Sequence, residues 1–107
     1  MADRKKIPKV IKDAVRSRQN KRCAVCLNYG RHFHHVIAVA IDKTQELNYY
    51  NIMMLCKYHH KLFHLGDPAT IQSVYEYAYY VQMGELPEEM DLIEICEEVV
   101  NNTIGKL

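Results

Sequence analysis

All six histidines, His32, His34, His35, His59, His60 and His64, fall within 33 consecutive residues, and Cys23, Cys26 and Cys56 lie inside or just before that window. Imidazole and thiolate are the natural ligands of borderline transition metals, so the segment is read first as metal chemistry. Cys23 and Cys26 form a C-x2-C pair, and Cys56 and His59 a C-x2-H pair. Two short-spaced pairs suit tetrahedral Zn²⁺ with no open position, a structural site whose binding free energy is folding free energy. Two disulfides are the other use of four cysteines. The N-terminus, however, carries charge with no apolar signal core behind it, and a reducing compartment favours metal ligation. Cys96 lies in an apolar stripe, where a cysteine is ordinarily a small core hydrophobe; it is the alternative to His59 as fourth ligand.

The remaining histidines suggest a second, open site. His60 and His64 are four apart and share one helix face, whereas His59 sits about 100° round the helix from His60, free to serve the other metal. A third ligand, His34 or His35, would leave positions for water and substrate, as a catalytic metal requires. Adjacent residues of a regular strand point to opposite faces, so spacing does not say which of that pair is the ligand.

The elements that must position these groups follow from pattern. Residues 8–19 read as a basic amphipathic helix with Pro8 in its first turn, and Asn28-Tyr29-Gly30 turns the chain after the first Cys pair. Residues 33–41 and 51–55 read as a β-hairpin whose long polar loop spans 42–48, and 57–65 as a short helix stopped by Gly66. Asp67-Pro68 opens a helix over 68–83, and Leu86-Pro87-Glu88-Glu89 opens a last, acidic one.

In order and spacing the chemical residues resemble the HNH (ββα-metal, or His-Me finger) endonuclease family. The motif reads Cys23-x2-Cys26, His34-His35-Val36-Ile37, Asn51-x4-Cys56, then Cys56-x2-His59-His60-x3-His64, covering residues 23–64. Ala38 stands where family members often carry Pro, and His59 where a second Cys is commoner. The resemblance implies that His34, His60 and His64 hold a catalytic divalent cation, that His35 is the general base, and that Asn51 braces the hairpin loop and the base. It implies metal-assisted hydrolysis of DNA to 5′-phosphate and 3′-hydroxyl ends. Three imidazoles favour Mn²⁺, Ni²⁺ or Zn²⁺ over Mg²⁺, which prefers oxygen ligands. His32 is extra to the motif, a surface or phosphate-contacting residue.

The expected fold is α+β: a ββα-metal core with a structural zinc site, one N-terminal basic helix and two C-terminal helices. A chain of 107 residues makes a single nuclease domain with a modest core, divided into the basic helix (1–22), the zinc-stapled core (23–66) and a helical extension (67–107). An apolar content of 49% with 25% charged residues excludes a disordered chain. No apolar run approaches the roughly 18 residues of a membrane span, and the expected setting is the cytoplasm of a bacterial or phage-infected cell.

The net charge of +1 conceals a segregation, with +8 over residues 1–31 and −8 over residues 66–107. The basic third offers phosphate contacts at Lys5, Lys6, Lys9, Lys12, Arg16, Arg18, Lys21, Arg22 and Arg31, with a steep salt dependence. No base-reading module accompanies them. The acidic helices could pack on the basic one, form a homodimer or meet a protein partner. Two other readings remain: a nonenzymatic zinc-stabilised nucleic-acid- or protein-binding module, and an RNA-directed nuclease with the same site.

Overall fold

The computed structural model describes residues 6–106, so Lys5 lies outside the described residues. The chain is α+β. Helices α1 (Lys9–Gln19), α2 (Lys57–His64), α3 (Pro68–Met83) and α4 (Leu92–Gly105) surround an antiparallel pair, β1 (His32–His35) and β2 (Ile52–Leu55). His34 lies opposite Met53 and His35 opposite Ile52.

Alternation along the strands divides the core in two. Phe33, Ile52 and Met54 pack with Val15 and Ile11 of α1, whereas Met53 and Leu55 pack with Val74 and Ala78 of α3 and Ile95 and Val99 of α4. Helices on both faces bury every residue of β2, which is why Ile-Met-Met-Leu shows no polar alternation. The C-terminal helices are thus the second wall of the sheet, and the acidic α4 packs on α3. No described helix is long and apolar enough to cross a membrane.

The end of α1 closes the outer edge of β2 in place of a third strand. The Gln19 amide accepts from Met54 N–H at 2.7 Å and donates to Met54 C=O at 2.9 Å, while Arg18 Nη2 donates to Ile52 C=O at 2.6 Å. Asn20 and Lys21 then turn the chain at φ 51° and 59°. Beyond the Cys23–Cys26 loop the chain returns so close that a Cβ on Gly30 would stand 3.0 Å from Met54 Cβ, so a larger residue there would have to displace its neighbours.

Three expectations on element boundaries are corrected. The strand expected over 33–41 begins at His32 and ends at His35, because Asn51 seizes the next turn of chain: its Oδ1 accepts from Ile37 N–H at 2.6 Å and its Nδ2 donates to Ile37 C=O at 3.0 Å. Val36 and Ile37 are buried without a strand partner, and Ile41 and Asp42 then fold back to donate to Ala38 C=O. The second strand opens at Ile52 rather than residue 51, since Asn51 closes a 3₁₀ turn (Tyr49–Asn51). The last helix opens at Leu92 instead of beside Pro87: Glu89 takes φ 53°, outside the right-handed helix, and Asp91 caps the new start by accepting from Glu94 N–H at 2.9 Å.

Candidate functional site

Cys23, Cys26, Cys56 and His59 bring their ligand atoms within 4.8 Å of one another. Cys26 Sγ and Cys56 Sγ are 3.7 Å apart, and Cys56 Sγ is 3.3 Å from His59 Nδ1. Two sulfurs bound at ~2.3 Å to one tetrahedral Zn²⁺ would be ~3.8 Å apart, so the observed spacing fits such an ion. Cys56 also caps α2, its sulfur accepting from His59 N–H at 3.4 Å, and Val25 N–H donates to Cys23 Sγ at 3.4 Å. These main-chain contacts fix where the two sulfurs stand, as the outer partners of ligating groups do. The set joins the loop after α1 to the start of α2. Cys96 stands outside it on α4, where burial pushes its thiol pKa up.

His34, His60 and His64 form a second set, also with ligand atoms within 4.8 Å. His34 is 3% exposed, packed on Phe63 with ring centroids 4.3 Å apart, and its Nε2 is buried with no hydrogen-bond partner. An orphaned imidazole nitrogen inside a protein is costly unless something binds it. His60 Nε2 and His64 Nε2 face each other at 3.1 Å, a spacing fit for two nitrogens sharing one cation. Burial, aided by the charges of His60, His64 and His35, lowers the His34 pKa to about 3. Burial also lowers that of His60, with His64 and His32 adding to the effect. Neutral imidazoles are the metal-ligating form.

His35 stands beside this set, and both lie round one cavity of about 230 Å³ lined by Phe33, His34, His35, Ala38, Val39, His60 and His64. The expected conflict between adjacent strand histidines does not arise, because β1 ends at His35 and both neighbours line the same space. His35 Nε2 is 2.8 Å from Glu46 C=O. A carbonyl only accepts, so Nε2 carries the proton and Nδ1 of the neutral ring keeps its lone pair.

Asn51, fully buried, holds the loop that supplies this carbonyl. Besides both ends of Ile37, it binds Gln45 C=O through Nδ2 at 3.1 Å. Asn48 Nδ2 donates to Gln45 Oε1 at 2.9 Å and to Thr103 C=O at 2.8 Å, which anchors the loop to α4. The polar stretch 42–48 is therefore a loop, as expected, with Gln45, Glu46 and Asn48 buried. Its interior roles, like that of Gln19, escaped the sequence reading, since no period marks a polar residue that serves main-chain atoms.

The basic residues divide. Lys12 Nζ and the Arg16 guanidinium lie 5.6 and 5.2 Å from the ring centre of Phe33, a wall of the histidine cavity, so α1 flanks that opening. Lys9 pairs with Asp13 at 2.7 Å and Arg16 with the same carboxylate at 3.2 Å, both near the surface. Lys6, Lys21, Arg22 and Arg31 are exposed, Arg22 donating to Leu27 C=O and Arg31 standing over Tyr29. Arg18, expected among the phosphate contacts, is turned inward: it donates to Tyr77 Oη at 3.2 Å, Tyr49 C=O at 3.3 Å and Gln19 Oε1 at 3.3 Å, besides Ile52. Its guanidinium is engaged in joining α1, β2 and α3.

No family model, curated protein or solved structure matches the chain.

Proposed function

We propose that the chain is an HNH-type metal-dependent endonuclease that hydrolyses DNA phosphodiester bonds. The observation that supports this most is one cavity lined both by a three-histidine set with an orphaned ligand nitrogen and by a fourth histidine whose Nε2 is engaged by a main-chain carbonyl. His34, His60 and His64 would hold the divalent cation, Mn²⁺, Ni²⁺ or Zn²⁺ before Mg²⁺ by ligand preference. Cys23, Cys26, Cys56 and His59 would hold a structural Zn²⁺.

When bound, the divalent cation supplies positive charge that polarises the phosphate and offsets the charge growing on the departing 3′-oxygen. His35, oriented by Glu46 C=O, takes a proton from a water molecule at Nδ1. The water oxygen forms the new bond to phosphorus as the bond to the 3′-oxygen breaks. That oxygen keeps the electron pair and takes a proton from solvent, leaving 5′-phosphate and 3′-hydroxyl ends. Asn51 keeps the base in place by fixing the main chain at Ile37, two residues after it, and at Gln45, next to the Glu46 carbonyl that meets its ring. Lys9, Lys12 and Arg16 on α1, with Lys21, Arg22 and Arg31 beyond it, offer the backbone of the duplex sequence-independent contacts.

The test is nicking of supercoiled plasmid by protein with its zinc retained, its histidine set stripped, and Mn²⁺, Ni²⁺, Zn²⁺ or Mg²⁺ restored. Metal-dependent nicks that a ligase can reseal are expected, because resealing requires those end groups. An intact plasmid with every metal, in folded protein, contradicts DNA hydrolysis. Cleavage confined to RNA in parallel reactions would reassign the substrate.

A further inference from the structure

His32 belongs to none of the roles above, yet its ring stands against that of a ligand candidate. The Nδ1 atoms of His32 and His60 face each other at 2.8 Å, with ring centroids 5.0 Å apart and planes at 80°. Two ring nitrogens at that distance share one proton, so one ring donates and the other accepts. His60 turns its other nitrogen, Nε2, toward His64 Nε2 at 3.1 Å, within the three-histidine set.

This fixes the polarity of the pair. A histidine that ligates through Nε2 carries its proton on Nδ1, so His60 must be the donor and His32 the acceptor. The opposite polarity would leave a proton on His60 Nε2 and remove a ligand. Strand geometry explains how His32 comes to be there. Residues two apart on β1 share a face, so the face that turns His34 toward α2 turns His32 the same way.

We propose that His32 is a positioning residue for the cation site: by accepting the Nδ1–H of His60 it fixes that ring's orientation and the tautomer that ligates. The inference rests on the metal reading of His34, His60 and His64, and not on the nuclease chemistry.

The test is calorimetric titration of Ni²⁺ into zinc-retaining protein whose histidine set has been stripped. Parent, His32→Asn and His32→Phe are compared, with His64→Ala as the control that identifies the site. Asparagine places an acceptor oxygen near the position of Nδ1, whereas phenylalanine keeps a ring without an acceptor. Phenylalanine should weaken Ni²⁺ binding about 10- to 100-fold, the usual cost of losing an outer partner of a metal-ligating histidine, and asparagine should restore most of it. Thermal midpoints of the zinc-retaining variants, with the histidine set empty, near that of the parent would show that the fold is kept. Equal affinities of parent and His32→Phe would overturn the proposal alone, as would equal losses in the Asn and Phe variants. A parent that takes up no more Ni²⁺ than His64→Ala would overturn the metal reading, and this role with it.

Discussion

His35 Nε2 meets the main-chain carbonyl of Glu46 at 2.8 Å, eleven residues further along the chain. The residues between them leave β1, turn back at Ala38 and pass through a 3₁₀ turn (Lys43–Gln45) before that carbonyl comes into place. The position of the ring therefore depends on every hydrogen bond that holds the loop, and the Asn51 side chain makes three of them.

Asn51→Ala should lower stability by roughly 2–4 kcal/mol, since it strands three buried main-chain groups at Ile37 and Gln45. Activity should fall further than the unfolded fraction explains, because the loop that aims His35 is released. Urea unfolding and nicking assays on the same preparation separate the two effects. Parental stability in the variant would contradict the bracing role.

Arg18 and Arg16 should behave oppositely. Arg18→Met should cost on the order of 2 kcal/mol, by leaving Ile52 and Tyr49 carbonyls without their donor. Arg16→Met should change stability little, its ion pair with Asp13 being near the surface, yet weaken duplex binding and reduce its salt dependence. Denaturant midpoints and binding isotherms at several salt concentrations check the pair. A stable Arg18→Met variant with a reduced salt slope would reverse the assignment.

If Cys23, Cys26, Cys56 and His59 hold the proposed structural Zn²⁺, its removal should unfold the chain, as the free energy of a closed site of this kind is folding free energy. Cys26→Ala should lose the metal and the helical circular dichroism together, and strong chelators should do the same to the parent. Cys96→Ala should retain one bound Zn²⁺ and cost at most ~1–2 kcal/mol for a vacated, half-buried position. Metal analysis by mass spectrometry decides between Cys96 and His59: zinc lost from Cys96→Ala and kept by His59→Ala would exchange their roles.

With the histidine set metal-free, burial of His34 should make stability depend on pH. The unfolded chain binds a proton at this residue near pH 6.5, whereas the folded chain refuses it until about pH 3. Between those values the unfolded state holds more protons, so stability falls as pH drops, by at most ~1.4 kcal/mol per pH unit for this one group. His60 titrates in the same direction. His34→Phe should lose less stability than the parent on acidification through that window, measured by urea unfolding at stepped pH. Parallel profiles would contradict a folded state that keeps His34 neutral.

The metal-ligand candidates were legible because their spacing carries a geometric meaning: two pairs three residues apart at a loop or helix start, and His60 and His64 one helical turn apart. The span of α3 was legible from Asp67-Pro68 and Gly84, whose cap geometries occur at its two ends. The end of β1 was not, because Val36 to Ile41 has strand composition and is withdrawn from the sheet by one distant side chain, Asn51. The start of α4 was misplaced because Pro87 and two acidic residues imitate a helix opening that Asp91 provides instead. Arg18 shows the same limit: composition reports its charge, and only tertiary structure reports that the charge is used inside. His32 was within reach, since strand alternation relates it to His34.

The most direct measurement compares the parent with His35→Ala, both zinc-retaining and both saturated with Mn²⁺ at the histidine set, in single-turnover plasmid nicking. The proposed role of His35 predicts a loss of about 10²- to 10⁴-fold, the contribution of a general base, with Mn²⁺ affinity and thermal midpoint unchanged. A variant that binds the metal and cuts as fast as the parent would contradict it.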